Sequence, residues 1–229
     1  MNSEISFENK IKLIDYLKDF TTESRLKRFD DVLQFRTRHI TVALEDIYQS
    51  HNSSAVLRSC DCFGIQDVHI IESENEHIVN PDVALGSSQW LNIYKYSHSE
   101  NNTKKCIENL KTQGYKVYAT TPHKNNFLIN EIDVSEKTAL IFGTESDGLS
   151  ESAMNLEDGF VKIPMFGFTE SFNISVSAAI FMFNLTQRLR ASDIDWKLTI
   201  SEQTDLKLNW LKQTIKSAEL LEKKFLESL

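Results

Sequence analysis

The stretch from residue 160 to residue 190 constrains the fold of this chain more than any other. It opens with residues typical of a strand, meets Pro164, and passes Gly167 before an apolar, helix-forming run begins. Ser171 and Asn173 are both suited to cap that helix. A loop that leads into a helix N-terminus directs several backbone N–H groups at one point, so the stretch predicts a site for a polar ligand.

Small side chains open the predicted helix. They are too small to fill an ordinary core, so another part of the chain must approach the helix closely there; the residues are Ser175, Ser177, Ala178 and Ala179. Taken alone, this stretch is equally compatible with a tightly packed strand, loop and helix that binds nothing.

Elsewhere the chain alternates between strand and helix patterns. Strands are predicted at residues 39–44, 67–71, 92–96, 115–121, 138–142 and 160–163. Helices are predicted at 7–20, 22–33, 52–63 with Asn52 or Ser53 as cap, 103–112, after Ser150, and 206–225. This alternation indicates a mainly parallel α/β sheet, in which ligands bind beyond the carboxyl ends of the strands. Thr120, Gly143 and Ile163 all lie at such ends.

The charge of the chain is negative overall but unevenly distributed. A net charge of −8 argues, by itself, against a nucleic-acid partner. Basic residues are nevertheless enriched towards both ends of the chain, and phosphate binding needs only a local patch. The candidates for RNA contacts are Arg25, Arg28, Arg36 and Arg38. The alternative, that these are ordinary solvated charges on helix faces, stays open.

Cysteine usage and hydropathy exclude several classes of protein. Cys60, Cys62 and Cys106 have neither the paired count of a disulfide framework nor the spacing of a zinc site, so we expect reduced thiols and no metal. The longest apolar stretch, residues 174–185, is short and interrupted by serines, which argues against a membrane span. We therefore expect a cytoplasmic protein.

Three stretches, taken in order, resemble the motifs of a known enzyme family. Residues 45–64, 140–150 and 163–190 are similar to the three motifs of the SPOUT class of RNA methyltransferases, in particular the TrmH type, which methylates ribose 2′-hydroxyls. The resemblance covers roughly residues 36–190. It implies a C-terminal deep trefoil knot in a catalytic domain at 39–190. A helical, RNA-binding extension is then expected at 1–38 and a second helical extension at 191–229.

The resemblance also implies a catalytic arginine. Arg58 stands at that position and, on a helical wheel, lies outside the apolar side; an ordinary surface pair with Asp61 or Ser54 is the alternative. Arginine normally stays protonated, so Arg58 either acts as a base with help from a substrate phosphate or anchors that phosphate and stabilises the oxyanion. The remaining matches, which would orient Arg58 and hold the ribose or cofactor, are Asn52, Glu145, Ser171 and Asn173.

S-adenosylmethionine is the methyl donor that the resemblance implies. Family members hold it mainly through main-chain groups in the cup of the knot. The residues that correspond to this cup are Thr120, Gly143, Ile163, Met165 and Phe172. Simple core packing is the alternative for Ile163 and Phe172, and it is compatible with walling a pocket.

The expected activity is therefore 2′-O-methylation of a ribose in tRNA, with guanosine 18 of the D-loop favoured, by a homodimer. Two alternatives remain. Ribosomal-RNA 2′-O-methyltransferases of this class commonly carry a larger N-terminal RNA-binding domain than 40 residues allow. A non-catalytic RNA-binding member of the same fold would have a decayed site, whereas Arg58, Glu145, Ser171 and Asn173 are all present.

Overall fold

The fold comprises two compact units. A computed structural model describes residues 5–76, 78–124, 127–145 and 147–228. One unit spans residues 37–196, and the other combines the chain up to Arg36 with the chain from Lys197 onward. The first two and the last two helices of the chain therefore belong to one unit. Its helices are α1 (Phe7–Leu17), α2 (Glu23–Leu33), α8 (Ile200–Thr214) and α9 (Ala218–Glu227).

A seven-stranded sheet forms the centre of the larger unit. The strands are β1 (Ile40–Glu45), β2 (Asp67–Ile71), β3 (Asn92–Tyr96), β4 (Lys116–Thr120), β5 (Phe127–Leu128), β6 (Thr138–Phe142) and β7 (Gly159–Lys162). Their order is β3-β2-β1-β6-β4-β7-β5, and every pairing is parallel. The expected parallel α/β sheet is confirmed, and the short strand β5 lies where no strand was predicted. The trefoil knot stays a prediction.

Helices cover both faces of this sheet. They are α3 (Ser50–Phe63), α4 (Pro81–Ala84), α5 (Asn102–Thr112), α6 (Glu151–Leu156) and α7 (Ile174–Arg190). On one face α3 packs beside α7, where Cys60 Sγ lies 3.6 Å from Met182 Sδ. The buried Ala178 shares this core, so one of the small residues at the start of α7 does allow close packing. The opposite face is covered by α5 and α6.

Two helix boundaries differ from expectation. The cap assigned to Asn52 or Ser53 is wrong, because the backbone N–H groups of both residues already donate to Gln49 O, so α3 begins at Ser50. The predicted end at Gly64 is confirmed, with φ at 75°. The single C-terminal helix predicted over 206–225 is instead split into α8 and α9, since Ser217 adopts a left-handed conformation with φ at 61°.

A tight turn after β6 requires glycine at its first position. Thr144 N donates to Gly148 O at 2.8 Å, and Gly148 N donates to Thr144 O at 3.1 Å. A Cβ added to Gly143 would lie 2.1 Å from Gly148 O, which no real structure tolerates. Any side chain at this position would therefore open the turn.

We predict that Gly143→Ala lowers the free energy of unfolding by about 1–3 kcal/mol, the usual cost of overpacking, since backbone must move. Denaturant unfolding measures this directly. Gly167→Ala is the matched control, because a Cβ there would approach only Thr169 N, at 3.9 Å. Equal stability of the two variants would contradict the close approach at Gly143.

Candidate active site

The carboxyl ends of β4, β6 and β7 border a cavity of about 410 Å³, within the range typical of ligand sites. These strands are neighbours in the sheet, so the loops that follow them converge. Four loop or strand-end segments line the cavity, together with Ser177 and Phe181 of α7; among the described residues the segments comprise 120–123, 142–145 with 147–149, 161–163 with Met165, and 171–174. We call this space the donor cavity.

All five residues expected to bind the cofactor line the donor cavity: Thr120, Gly143, Ile163, Met165 and Phe172. The hydroxyl of Thr120 donates to Ile141 O at 2.8 Å, which commits it to the strand rather than to a ligand. Apolar side chains supply walls for a flat aromatic base, and the loops bring backbone polar groups to the same space. The residues present therefore fit S-adenosylmethionine.

Asn173 joins three separate parts of the chain at the edge of the donor cavity. Its Nδ2 donates to Glu145 Oε1 at 2.5 Å and to Asn52 Oδ1 at 3.2 Å. Its Oδ1 accepts from Ser175 N at 2.9 Å and from Ser175 Oγ at 2.6 Å, which caps α7. Asn52 Nδ2 in turn donates to Gln49 Oε1 at 3.1 Å. Three of the five expected catalytic residues thus form one network.

A buried carboxylate that the sequence analysis did not identify holds the loop of Glu145. Glu45 is only 3% exposed and ends β1. It accepts hydrogen bonds from Ser150 N at 2.8 Å, Ser150 Oγ at 2.6 Å and Thr103 Oγ1 at 2.5 Å. The available signal was an acidic residue directly at the end of an apolar strand. Since Ser150 also caps α6, Glu45 fixes the far end of the loop that begins at Gly143.

A second cavity of about 520 Å³ adjoins the donor cavity. Both are lined by Thr144, Glu145, Asp147 and Ile174. Asn52 lines only the second cavity, whereas Asn173 lines only the first. The network of Asn52, Glu145 and Asn173 therefore lies in the wall that the two cavities share.

Arg58 lies away from this network. Its side chain is exposed on α3 and lines neither cavity. Arg58 follows Asn52 by six residues, which corresponds to about 9 Å along a helix and about 120° around it. Across the described ranges it forms no hydrogen bond or ion pair, so the alternative pair with Asp61 or Ser54 is not formed.

Ser171, the fifth residue expected in the catalytic set, is exposed and lines the donor cavity.

The four arginines proposed for RNA contact have different environments. Arg25 and Arg28 are exposed on α2. The expectation for Arg36 needs correction, because its side chain is only 1% exposed and its guanidinium lies 5.4 Å from the centre of the Trp210 ring. Arg38 is partly buried, and its Nε lies 3.0 Å from Asp67 Oδ2.

The described part of the chain contains no helix long and apolar enough to cross a membrane. Within the same residues, no group of three or more His, Cys, Asp or Glu side chains is arranged to hold a metal ion.

Comparisons with known proteins agree with this geometry. Residues 39–183 match the SpoU rRNA Methylase family. A relative from Borreliella burgdorferi, named tRNA (guanosine(18)-2′-O)-methyltransferase, is 42% identical and aligns with 94% of this chain and 97% of its own length. A relative of the same name from Thermus thermophilus is 37% identical over 76% of this chain and 88% of its own.

Solved structures share the fold. The crystal structure of the A. aeolicus TrmH/SpoU tRNA modifying enzyme has a TM-score of 0.76 and 26% identity, covering 85% of this chain and 98% of that one. The SpoU methyltransferase AviRb from Streptomyces viridochromogenes, in complex with AdoMet, has a TM-score of 0.59 at 20% identity over 71% of this chain and 65% of its own. The resemblance to TrmH-type enzymes is confirmed: this chain belongs to the SpoU rRNA methylase family.

Proposed function

We propose that this chain transfers a methyl group from S-adenosylmethionine to the ribose 2′-hydroxyl of guanosine 18 in tRNA. The observation that carries the proposal is the network of Asn52, Glu145 and Asn173 in the wall between two cavities. A donor on one side and a ribose on the other can meet at this wall. Support for the substrate comes from the name of the Borreliella burgdorferi relative, which aligns along nearly the whole chain.

The donor cavity suits the chemical parts of the cofactor. Bound S-adenosylmethionine supplies an electrophilic methyl group on a positively charged sulfur. Ile163, Met165 and Phe172 would wall the adenine, while the turn at Gly143 lets backbone approach without a side chain in the way. The carboxylates of Glu145 and Asp147 line the same cavity and would offset the positive charge.

Asn173 would hold Glu145 and Asn52 in a fixed geometry around the ribose that accepts the methyl group. Because its oxygen accepts two bonds from Ser175, its amide nitrogen is held towards Glu145 and Asn52. Groups held in place before the substrate arrives need no reorganisation during the reaction, and positioning of this kind supplies about 7–11 kcal/mol in favourable systems. Ser171, next to this cluster along the chain, would contact the ribose.

Arg58 would act in the site of a second copy of the chain. Arg58 is exposed on α3, and on the neighbouring helix α7 Val176 and Phe183 are 44% and 56% exposed. The ring of Phe183 lies 6.3 Å from that of Phe63, at the end of α3, so the two helices contribute to one continuous face. A two-fold homodimer over this face would bury these apolar side chains. It would also bring Arg58 to the partner's network, where it anchors a substrate phosphate and stabilises the developing oxyanion.

The proposed activity is tested by incubating the protein with labelled S-adenosylmethionine and, in parallel, unmodified tRNA and ribosomal RNA. We expect label on tRNA alone, at the ribose of guanosine 18. A tRNA with 2′-deoxyguanosine at that position is the matched control and should take up none. Label on ribosomal RNA would instead favour the other substrate of this family. Cofactor binding without label in either RNA would favour a non-catalytic role.

We predict that Arg58→Ala and Glu145→Gln each lower kcat by roughly 10²-fold or more, since each removes a group that contacts the reacting ribose or its phosphate. In a purified heterodimer of the two variants, one site combines an intact Glu145 with the partner's Arg58. Such a heterodimer should recover about half of the wild-type activity, because one of two symmetric sites is complete. The Arg58→Ala homodimer is the control. A heterodimer as inactive as both homodimers would show that Arg58 does not act across the dimer.

We propose that Arg25 and Arg28 contact tRNA phosphates, because both are exposed on one helix. Replacing both with glutamine should flatten the dependence of log Kd on log salt concentration by about 0.7–0.9 per lost contact. Lys12→Gln is the comparison, since the Lys12 ammonium pairs with Glu8 at 2.7 Å. An unchanged slope in the double arginine variant would place the RNA footprint elsewhere.

A further inference from the structure

The second cavity has the location that a target base requires. On a ribose, the 2′-hydroxyl and the base are attached to adjacent carbons, so a base must lie close to the methylated oxygen. The donor cavity would hold the cofactor, and the second cavity opens from the other side of the wall formed by Thr144, Glu145 and Ile174. A base whose ribose meets this wall can enter the second cavity.

The loop after β2 carries Glu74, which lines this cavity. The carboxylate of Asp46, which follows β1, holds this loop. Asp46 Oδ1 accepts from the backbone N–H groups of Ser73, Glu74 and Asn75, each at 2.9 Å, and Asn75 Nδ2 donates to Asp46 Oδ2 at 2.9 Å. Three hydrogen bonds from backbone N–H groups and one from the Asn75 side chain therefore hold this loop in one conformation. They also occupy the Asp46 carboxylate, so Asp46 serves the loop rather than a ligand.

Glu74 differs from Asp46 and Glu145, two other acidic residues that line the cavity. Glu145 accepts from Asn173, and Asp46 is engaged by the loop. Within residues 5–76, 78–124, 127–145 and 147–228, the Glu74 carboxylate accepts no hydrogen bond and forms no ion pair. The described lining contains no lysine, arginine or histidine, so the cavity suits a ligand that brings hydrogen-bond donors rather than a phosphate.

Guanine is the nucleobase whose edge matches such a group. Its N1–H and N2–H₂ donors lie side by side and can both bond to one carboxylate, whereas adenine presents an acceptor at N1. Proteins read unpaired bases through this edge and stack aromatic side chains on their faces. Tyr48 also lines the cavity and is 79% exposed, so its ring is accessible to a base.

We propose that the second cavity binds the guanine of the target nucleotide, with Glu74 accepting from N1–H and N2–H₂ and Tyr48 stacking on the base. The inference rests on the proposed function and deepens it, because it assigns the preference for guanosine to a specific side chain. Glu74 is then a specificity-determining residue, and Tyr48 adds affinity for any base.

The test uses full-length enzyme and tRNA transcripts with guanosine, inosine or adenosine at position 18. Inosine lacks only the N2 amino group. Wild-type kcat/KM should fall in the order guanosine, inosine, adenosine. Glu74→Gln should lower kcat/KM for guanosine by about 10- to 100-fold, the range for one bidentate base contact. It should also lose the preference for guanosine over inosine, while Tyr48→Ala lowers kcat/KM for all three substrates to a similar extent.

Two controls separate base recognition from folding. Glu76→Gln removes an exposed carboxylate from the same loop that does not line the cavity, and it should behave as wild type. Glu74→Asp retains the carboxylate and should retain the preference for guanosine over inosine. Cofactor binding should be equal in all variants.

The outcomes distinguish this inference from the proposed function. If the wild type methylates guanosine 18 but Glu74→Gln discriminates guanosine from inosine and adenosine as strongly as the wild type, the base site is overturned and the proposed function stands. If the wild type methylates none of the three transcripts, the proposed function fails, and the inference fails with it.

Discussion

The Asn173 amide is the contact on which the site depends. It bonds simultaneously to Glu145, on the loop after β6, to Asn52, in the first turn of α3, and to the start of its own helix through Ser175. Each of these segments begins near the carboxyl end of a strand. Because both ends of the amide are engaged, the side chain has one orientation, and the three segments are held in register around it.

The loop of Glu145 is also held by contacts that do not involve Asn173. At one end Gly143 packs so closely against Gly148 that no side chain fits, and at the other end Glu45 accepts three hydrogen bonds. A buried carboxylate with three donors is well compensated, whereas one without them would be strongly destabilising. The position of a single carboxylate in the site thus follows from backbone close packing together with a buried polar anchor.

Charge is divided between different parts of the molecule. The two cavities carry Glu145 and Asp147 in common, while the arginines available to a polyanion, Arg25, Arg28 and Arg58, lie outside both. Acidic lining suits a sulfonium donor and a base rich in N–H groups. The proposed phosphate contacts lie outside both cavities, so a net charge of −8 is compatible with an RNA substrate.

The sequence by itself determined the parallel sheet and six of its seven strands, because β-branched runs and turn residues are local signals. The five residues expected to bind the cofactor followed from the resemblance to the family's motifs, and all five line the donor cavity. The resemblance also singled out Asn52, Glu145 and Asn173, although the role of Asn52 as a helix cap was wrong: its side chain bonds across to Asn173. Local pattern gave no sign of the break at Ser217, which depends on one residue in a left-handed conformation, or of the burial of Arg36 against Trp210. Only the tertiary structure decided that Glu45 anchors the loop and that Arg58 lies away from its expected partners. These are contacts between residues far apart in the chain, and the direction in which a side chain points depends on the elements packed around it.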